Sequence, residues 1–180
     1  DRYLRFGYAA SDEQVRRYVE GLDFERDDIY GIYNRRLELI AMAHLAFSDD
    51  KSQTVAEFGV SVSQHARGRG YGGRLFDRAM MHARNEGIGR LLIHALSENT
   101  AMLKIARNAG ATVVRDGSES EALLVLPPAT LDTRVTEIVE EQYAQTDYRL
   151  KVQAKELRDF LAGVQEVREG VRTGRHRSGQ

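Results

Sequence analysis

The segment SQHARGRGYGGRLF, residues 63–76, combines glycine and arginine in a pattern typical of an anion site. It holds four glycines and three arginines, between an apolar run and a segment with helical spacing. Glycine frees the backbone at an entropic cost, so such a run indicates a bound ligand or an unusually tight turn. A strand that enters a helix through glycines exposes N–H groups at the positive end of the helix dipole, which suits a phosphate. We therefore expect this main chain, with Arg67, Arg69 and Arg74, to bind a phosphorylated ligand.

Two familiar phosphate-binding patterns can be compared with this loop. The Walker pattern ends in Gly-Lys-Ser or Gly-Lys-Thr, and the segment has no lysine. Gly68, Gly70 and Gly73 match G-x-G-x-x-G, and Glu98 follows the next predicted strand as a ribose-binding acid would. That fingerprint normally follows the first strand of a β-α-β series, whereas three predicted strands precede it here. A nucleotide-binding oxidoreductase therefore stays open only as a distant alternative.

The elements around the loop predict a mixed α/β sheet. Ser11 and Gln14 have the spacing of a capping box and predict a helix to about Leu22. Three strands joined by short polar turns follow, then the glycine loop and a helix that ends near Gly87. The segments for these strands are DIYGIYN, LELIAMAHLAF (after the turn NRR) and TVAEFGVSV (after the turn SDDKS). A buried strand RLLIHAL, a helix closed by Gly110 and a final strand pair complete an α/β (α+β) fold, mostly antiparallel and flanked by helices.

A composition break at Pro127 and Pro128 predicts a separate C-terminal element. From Leu131 to Val171 apolar residues recur every seven positions: Tyr143, Leu150, Leu157, Val164 and Val171, with Val139, Phe160 and Val167 between them. A helix of about 40 residues is roughly 60 Å long, so part of its apolar stripe must contact another chain or fold back. We assign 1–128 to the globular domain, 129–171 to a helical extension that could form a homodimer, and 172–180 to a disordered basic tail.

Composition excludes several classes of protein. The 180 residues are 42% hydrophobic and 29% charged with a net charge of −1, which favours a soluble globular chain and gives no general attraction to nucleic acid. No run approaches the ~20 apolar residues that span a membrane. The chain has no cysteine, which fits a cytoplasmic location, and its five scattered histidines indicate no metal site. The acidic cluster DFERDD, residues 23–28, is interpreted as a solvated loop.

Two blocks of sequence resemble the GNAT superfamily of acetyl-CoA-dependent N-acetyltransferases. Arg67, Gly70 and Gly72 satisfy the R/Q-x-x-G-x-G/A pattern, and AEFGVSVSQHARGRGYGGRLF looks like the family's fourth strand, pyrophosphate loop and following helix. RLLIHALSENTAMLKIARNAGA looks like its fifth strand and next helix, with Asn99 and Gly110 at the family's asparagine and glycine. The resemblance covers about residues 1 to 126.

The resemblance implies where a cosubstrate, acetyl-CoA, would bind. The pantetheine arm would lie between the two strands of these blocks and pair with main-chain groups of Val60, Ser61 and Val62. Amides from Arg67 to Gly73 (Arg67, Gly68, Arg69, Gly70, Tyr71, Gly72 and Gly73) would hold the pyrophosphate, and Asn99 would contact the cofactor near its pantetheine. A primary amine, on a small molecule or a protein, would then attack the thioester directly in a ternary complex.

The resemblance implies the proton-transfer residues only in part. Glu57 lies where many family members carry an acid, and it could act as base through a water. The family's usual acid is a tyrosine seven residues after the asparagine, which here is Ala106. Ser97, His94 or Tyr71 could replace it, or the thiolate could leave unaided. His44 and His94 fall in strand patterns, where a hydrogen-bonded core or pocket-wall histidine is expected. Because of Ala106, a CoA-binding regulatory module without turnover is kept as the alternative function.

Overall fold

The computed structural model describes residues 8–48 and 54–177 of the chain. In order, its elements are α1 (Asp12–Glu20), β1 (Asp28–Tyr33), β2 (Leu39–Phe47), β3 (Val55–Val62), α2 (Tyr71–Asn85), β4 (Arg90–Leu96), α3 (Thr100–Asn108), β5 (Thr112–Asp116), β6 (Glu119–Val125) and α4 (Leu131–Arg177). A 3-10 turn, Gln64–Ala66, precedes α2. The predicted turn SDDKS lies largely outside the described residues. No helix in the described part has the length and apolarity needed to cross a bilayer.

Helix α1 begins as the sequence predicts. The Ser11 hydroxyl accepts from the backbone N–H of Gln14 at 3.3 Å, and the Gln14 side chain accepts from the N–H of Ser11 at 2.8 Å. This capping box satisfies two of the N–H groups that a helix end leaves without partners. The prediction for β2 is wrong by two residues, because Leu37 adopts a left-handed φ of 60° in the preceding turn and the strand begins at Leu39.

The six strands form one mixed sheet in the order β1-β2-β3-β4-β6-β5. β2 with β3, β4 with β6 and β5 with β6 are antiparallel, and β3 with β4 is parallel. The parallel pair needs a crossover, which the glycine loop and α2 supply. This confirms the predicted α/β fold with a mostly antiparallel sheet.

One face of the sheet carries the core. Successive side chains of a strand alternate between faces, and Leu45, Phe58, Leu91 and Ile93 are fully buried against α2 and α3. Phe58 meets Phe76 of α2 edge to face, with ring centroids 5.2 Å apart. The alternate residues of β2, β3, β4 and β6 lie on the other face, which we call the open face.

The chain divides into two compact units, Asp1–Ile32 with Leu39–Val139, and Tyr33–Glu38 with Glu140–Gln180. In the second unit, α4 packs on the β1–β2 turn: the rings of Tyr33 and Tyr148 are 5.4 Å apart, and Lys151 Nζ donates to the carbonyl of Tyr33 at 2.9 Å.

Helix α4 runs to Arg177, whereas the sequence predicts disorder from residue 172, and residues 178–180 lie outside the described ones. The side chains at the last stripe positions, Phe160, Val164, Val167 and Val171, are also outside the description.

Candidate functional site

The parallel strands β3 and β4 part in the middle of the sheet. Their register contains three pairs, from Val55–Arg90 to Glu57–Leu92. β3 then continues to Val62 and β4 to Leu96, each paired on its outer side only, with β2 and β6. One edge of each strand therefore faces a wedge-shaped gap, and backbone groups along it can pair with an extended ligand as a further strand would.

Three predicted contact residues lie along this gap. Val60, Ser61 and Val62 are half-buried, and on their other side they pair with Ala43, Met42 and Ala41 of β2. Their side chains alternate between the core face and the open face. The feature that the three residues share is therefore their backbone N–H and C=O groups, which lie in the plane of the sheet. This arrangement fits a ligand that is held by backbone hydrogen bonds.

The glycine loop joins the end of β3 to the start of α2 through left-handed backbone. Gly68 and Gly70 have φ values of 74° and 80°, a region that L side chains enter only with strain. The Arg67 guanidinium folds back, and its Nε donates to the carbonyl of Val62 at 3.2 Å. That contact fixes the loop against the end of β3.

The N-terminus of α2 offers N–H groups to this loop. The first hydrogen bond of the helix is donated by Arg74 to the carbonyl of Gly70 at 3.1 Å, so the N–H groups of Tyr71, Gly72 and Gly73 precede it. Apart from its chain neighbours and the backbone of its own helix, no described atom lies within 4 Å of a Cβ added at Gly73, whereas a Cβ at Gly72 would lie 3.4 Å from Ile105 Cδ1. The helix end is thus open on one side and packed against α3 on the other, which suits an anion.

Asn99 lies at the neighbouring strand end, at the N-cap of α3. Its Oδ1 accepts from the N–H of Met102 at 3.2 Å. Because β3 and β4 are parallel, their carboxyl ends, and hence the glycine loop and Asn99, lie at the same edge of the sheet. Ala106 of α3 is fully buried in the core. The predicted contact of Asn99 with a cofactor stays a prediction.

The two predicted catalytic residues have different surroundings. Glu57 is exposed on the open face and forms, with Leu92, the last pair that β3 makes with β4. The Ser97 hydroxyl contacts the carbonyl of Glu119 and the Ser120 hydroxyl, both at 2.8 Å, and thereby ties β4 to the β5–β6 hairpin. The structure thus gives Ser97 a structural contact, and its role as an acid stays a prediction.

Three side chains that the sequence does not bring together meet on the open face near Glu57, and His44 among them is hydrogen-bonded, as its strand pattern predicts. His44 Nε2 is 2.9 Å from Asp27 Oδ2, and His44 Nδ1 is 2.8 Å from the Tyr18 hydroxyl. The interpretation of residues 23–28 as a solvated loop is wrong for Asp27, which is 9% exposed because it pairs with His44. Only the alternation of β2, which puts His44 opposite to Ala43 and Leu45, could have suggested this location.

A second histidine cluster joins α2 to the start of α4. His82 Nε2 lies 2.8 Å from Asp28 and Nδ1 2.5 Å from Glu137, which also accepts from Asn85. Burial by itself would raise the pKa of Glu137, but hydrogen bonds from Asn85 and His82, with the charges of His82 and Arg78, outweigh it and lower this pKa. In the described residues no group of His, Asp and Glu is arranged to hold a metal.

Known proteins share this architecture. The sequence profile of the acetyltransferase (GNAT) family matches residues 3–111. The GNAT domain of S. lividans PAT superposes with a TM-score of 0.57 at 24% identity, over 69% of this chain and 76% of that one.

Two further structures agree. A ribosomal-protein-alanine N-acetyltransferase from Brucella melitensis has a TM-score of 0.54 at 16% identity, over 68% of this chain and 83% of its own. The yncA protein of Salmonella typhimurium, solved with its cofactor acetyl-CoA, has a TM-score of 0.55 at 18% identity, over 71% and 80%. No curated protein sequence matches the chain. The match of the family profile to more than half of the sequence, on this fold, shows that the chain belongs to the acetyltransferase (GNAT) family.

Proposed function

We propose that this protein transfers the acetyl group of acetyl-CoA to a primary amine by direct attack in a ternary complex. The observation that carries the proposal is the parting of β3 and β4 directly before a glycine loop that opens α2. The gap suits the amide-bearing arm of the donor, and the helix N-terminus suits its pyrophosphate. Acetyl-CoA carries both an amide-bearing arm and a pyrophosphate, and the family to which the chain belongs supports this donor.

The donor would contact the residues along this edge. Main-chain groups of Val60, Ser61 and Val62 would pair with the pantetheine, and the N–H groups from Arg67 to Gly73 would bind the pyrophosphate. The exposed guanidinium groups of Arg69 and Arg74 add positive charge. Asn99, at the same edge, would contact the pantetheine through its side-chain amide.

The chemistry requires three events at the thioester. The amine nitrogen forms a bond to the carbonyl carbon and loses a proton, the oxyanion is stabilised by a main-chain N–H of β3, and the thiolate leaves. Glu57, which is exposed and forms the last pair of β3 with β4 before the gap, would be one group able to take this proton, acting through a water. With Ala106 buried at the usual tyrosine position, Ser97, His94 or Tyr71 would protonate the thiolate, or it leaves unprotonated.

The proposal is tested in two steps on the full chain. Calorimetric titration with acetyl-CoA should show binding, and no heat at millimolar concentration would contradict the proposal. Release of free CoA thiol is then followed with a panel of amines that includes polyamines and lysine peptides. Turnover with any amine excludes the alternative of a CoA-binding module, whereas binding without turnover across the panel favours it.

We also propose that the acetyltransferase is a homodimer joined through α4. Tyr143, Leu150 and Leu157 follow one another at intervals of seven residues, about two helical turns. Their exposed fractions are 76%, 60% and 59%. A stripe of this length with apolar side chains in water is typical of a coiled-coil seam.

A further inference from the structure

Three polar side chains from three separate segments meet on the open face. Tyr18 comes from α1, His44 from β2, and Asp27 from the segment before β1. The side chains of His44 and Asp27 are only 12% and 7% exposed. In the described residues, Asp27 and Ser120 are the buried polar residues. The Ser120 hydroxyl is hydrogen-bonded to the Ser97 hydroxyl, which explains its burial. A buried polar chain costs desolvation, so its use has to be explained.

The three side chains donate their hydrogen bonds in one direction, from Tyr18 through His44 to Asp27. A carboxylate only accepts, so the 2.9 Å contact with Asp27 requires a proton on His44 Nε2. In the neutral ring Nδ1 is then an acceptor, and Tyr18 donates its hydroxyl proton to it at 2.8 Å. A phenol oxygen that donates its proton keeps two lone pairs. A proton that arrives at Tyr18 can therefore pass to His44, where Asp27 stabilises the charge.

The strand register places these three hydrogen-bonded side chains near the proposed reaction site. His44 pairs with Gly59, and the next pair along the strands on this face joins Ala46 to Glu57. Paired Cα atoms of antiparallel strands are roughly 5 Å apart. Gly59 lies in the part of β3 that no longer pairs with β4, directly before Val60. His44 is thus one strand away from the gap, on the same face as Glu57.

We propose that Tyr18, His44 and Asp27 form a proton relay for the attacking amine. As the nitrogen bonds to the carbonyl carbon, its N–H bond breaks and the proton goes to the Tyr18 oxygen. The Tyr18 proton moves to His44 Nδ1, and the imidazolium is paired with Asp27. Tyr18 is the residue that would contact the amine. His44 accepts the Tyr18 proton, and Asp27 holds the His44 ring and stabilises its positive charge. This inference rests on the proposed acetyltransferase function.

Two other charged groups near the relay define the controls. Arg26 Nε lies 3.5 Å from Asp27 Oδ1, whereas His44 contacts the other carboxylate oxygen, Oδ2. Glu57 is the nearby carboxylate on β3 and the competing base. A purely structural role, in which the chain holds α1 on the sheet, is the third possibility. The variants must separate these three.

His44→Gln is the decisive variant. A glutamine can still donate to Asp27 and accept from Tyr18, so it keeps the structural contacts, but it cannot hold the proton. Tyr18→Phe removes the first group, and Asp27→Asn should reverse the ring tautomer, because an amide can donate to Nε2. His82→Gln and Tyr148→Phe are matched controls that alter a histidine and a phenol away from the relay.

The variants are compared with an amine that the wild type accepts. We expect kcat to fall roughly 100-fold in His44→Gln, Tyr18→Phe and Asp27→Asn, with the KM for acetyl-CoA within about twofold. Ionisation of the amine changes kcat/KM with pH equally in the variant and in the wild type, so the ratio of the two values is free of this effect. This ratio should change with pH for His44→Gln and stay flat for His82→Gln. In the wild type, ¹⁵N NMR of the His44 ring should show the proton on Nε2.

Three results would overturn the relay. A kcat of His44→Gln within about threefold of the wild type leaves only the structural role, and loss of activity in Glu57→Gln alone assigns the base to Glu57. A proton on Nδ1 in the NMR spectrum would equally reject it, whatever the activity. Failure of the proposed function is read separately, on the wild type, as binding of acetyl-CoA without turnover of any amine.

Discussion

At Gly70 the chain turns from the loop into α2 with a φ of 80°. This left-handed residue is the N-cap of α2, and the first N–H groups after it belong to Tyr71, Gly72 and Gly73. A side chain at this position would cost free energy in the left-handed region, although there is open space around it. The function of Gly70 is therefore conformational rather than steric.

Gly70→Ala should weaken both folding and donor binding. We expect a loss of about 1 kcal/mol in the free energy of unfolding, and a rise in the KM for acetyl-CoA, because a relaxed loop no longer presents its amides together. Gly87→Ala is the matched control, since Gly87 has a φ of 81° after α2 but lies outside the loop. By urea unfolding, Gly87→Ala should lose a similar amount of stability, and its KM for acetyl-CoA should not change. An equal rise of this KM in Gly70→Ala and Gly87→Ala would contradict the prediction.

At the scale of elements, each end of α2 and α3 has a distinct task. The N-termini of both helices lie at the edge where β3 and β4 end, and the C-terminal part of α2 is joined to α4 through His82 and Asn85.

Asn99 should have two separable roles, as cap and as ligand. Asn99→Ala should lower the free energy of unfolding by about 1 kcal/mol because α3 loses its cap, whereas Asn99→Ser keeps a capping oxygen and most of the stability. Both variants should raise the Kd for acetyl-CoA in calorimetry, because both lack the amide. If Asn99→Ser binds as tightly as the wild type, the residue only caps the helix.

The Glu137 cluster should make stability depend on pH. The folded-state pKa of Glu137 lies below its ordinary value of 4.5, so its ionised form stabilises the fold above that value. This contribution is lost as the pH falls below 4.5 through the lowered folded-state pKa. Glu137→Gln should cost about 2 kcal/mol at pH 7, less as the pH falls through this range, by urea unfolding. The exposed Glu156→Gln should cost nothing measurable, and a pH-independent loss in Glu137→Gln would contradict the assignment.

At the scale of the whole molecule, the second unit is built on a long helix with one packed side. The β1–β2 turn contacts α4 through Tyr148, Lys151 and Arg158, whereas the stripe with Tyr143 and Leu150 is exposed. Apolar side chains spaced by seven bury their surface when a second helix joins them, and each fully buried leucine contributes about 2 kcal/mol.

Charges on this stripe should separate the proposed dimer. We expect the full chain to scatter light as a dimer and the variant Leu150→Glu with Leu157→Glu to scatter as a monomer with retained helix content. Gln145→Glu, roughly 140° around the helix axis from Leu150, adds a charge away from the stripe and should leave the dimer intact. A dimer that survives the double substitution would remove α4 from this role.

Local patterns predicted most of the fold because their causes are local. The capping box at Ser11, the left-handed glycines around Gly70 and the two-residue alternation of β3 act within a few residues of sequence. The start of β2 was missed because nothing in the sequence marks Leu37 for a positive φ. Asp27 was placed in a solvated loop because five of the six residues of its segment are polar or charged, and its partner is 17 residues away.

By itself, the sequence determined the order of the elements, the glycine loop before α2 and the apolar stripe of α4, since periodicity and glycine act along the chain. Only the tertiary structure decided that β3 and β4 part after Glu57, and that Tyr18, Asp27 and His44 share one chain of hydrogen bonds. The physical reason is register: which residues of separate strands face each other depends on how the whole core packs against α2 and α3.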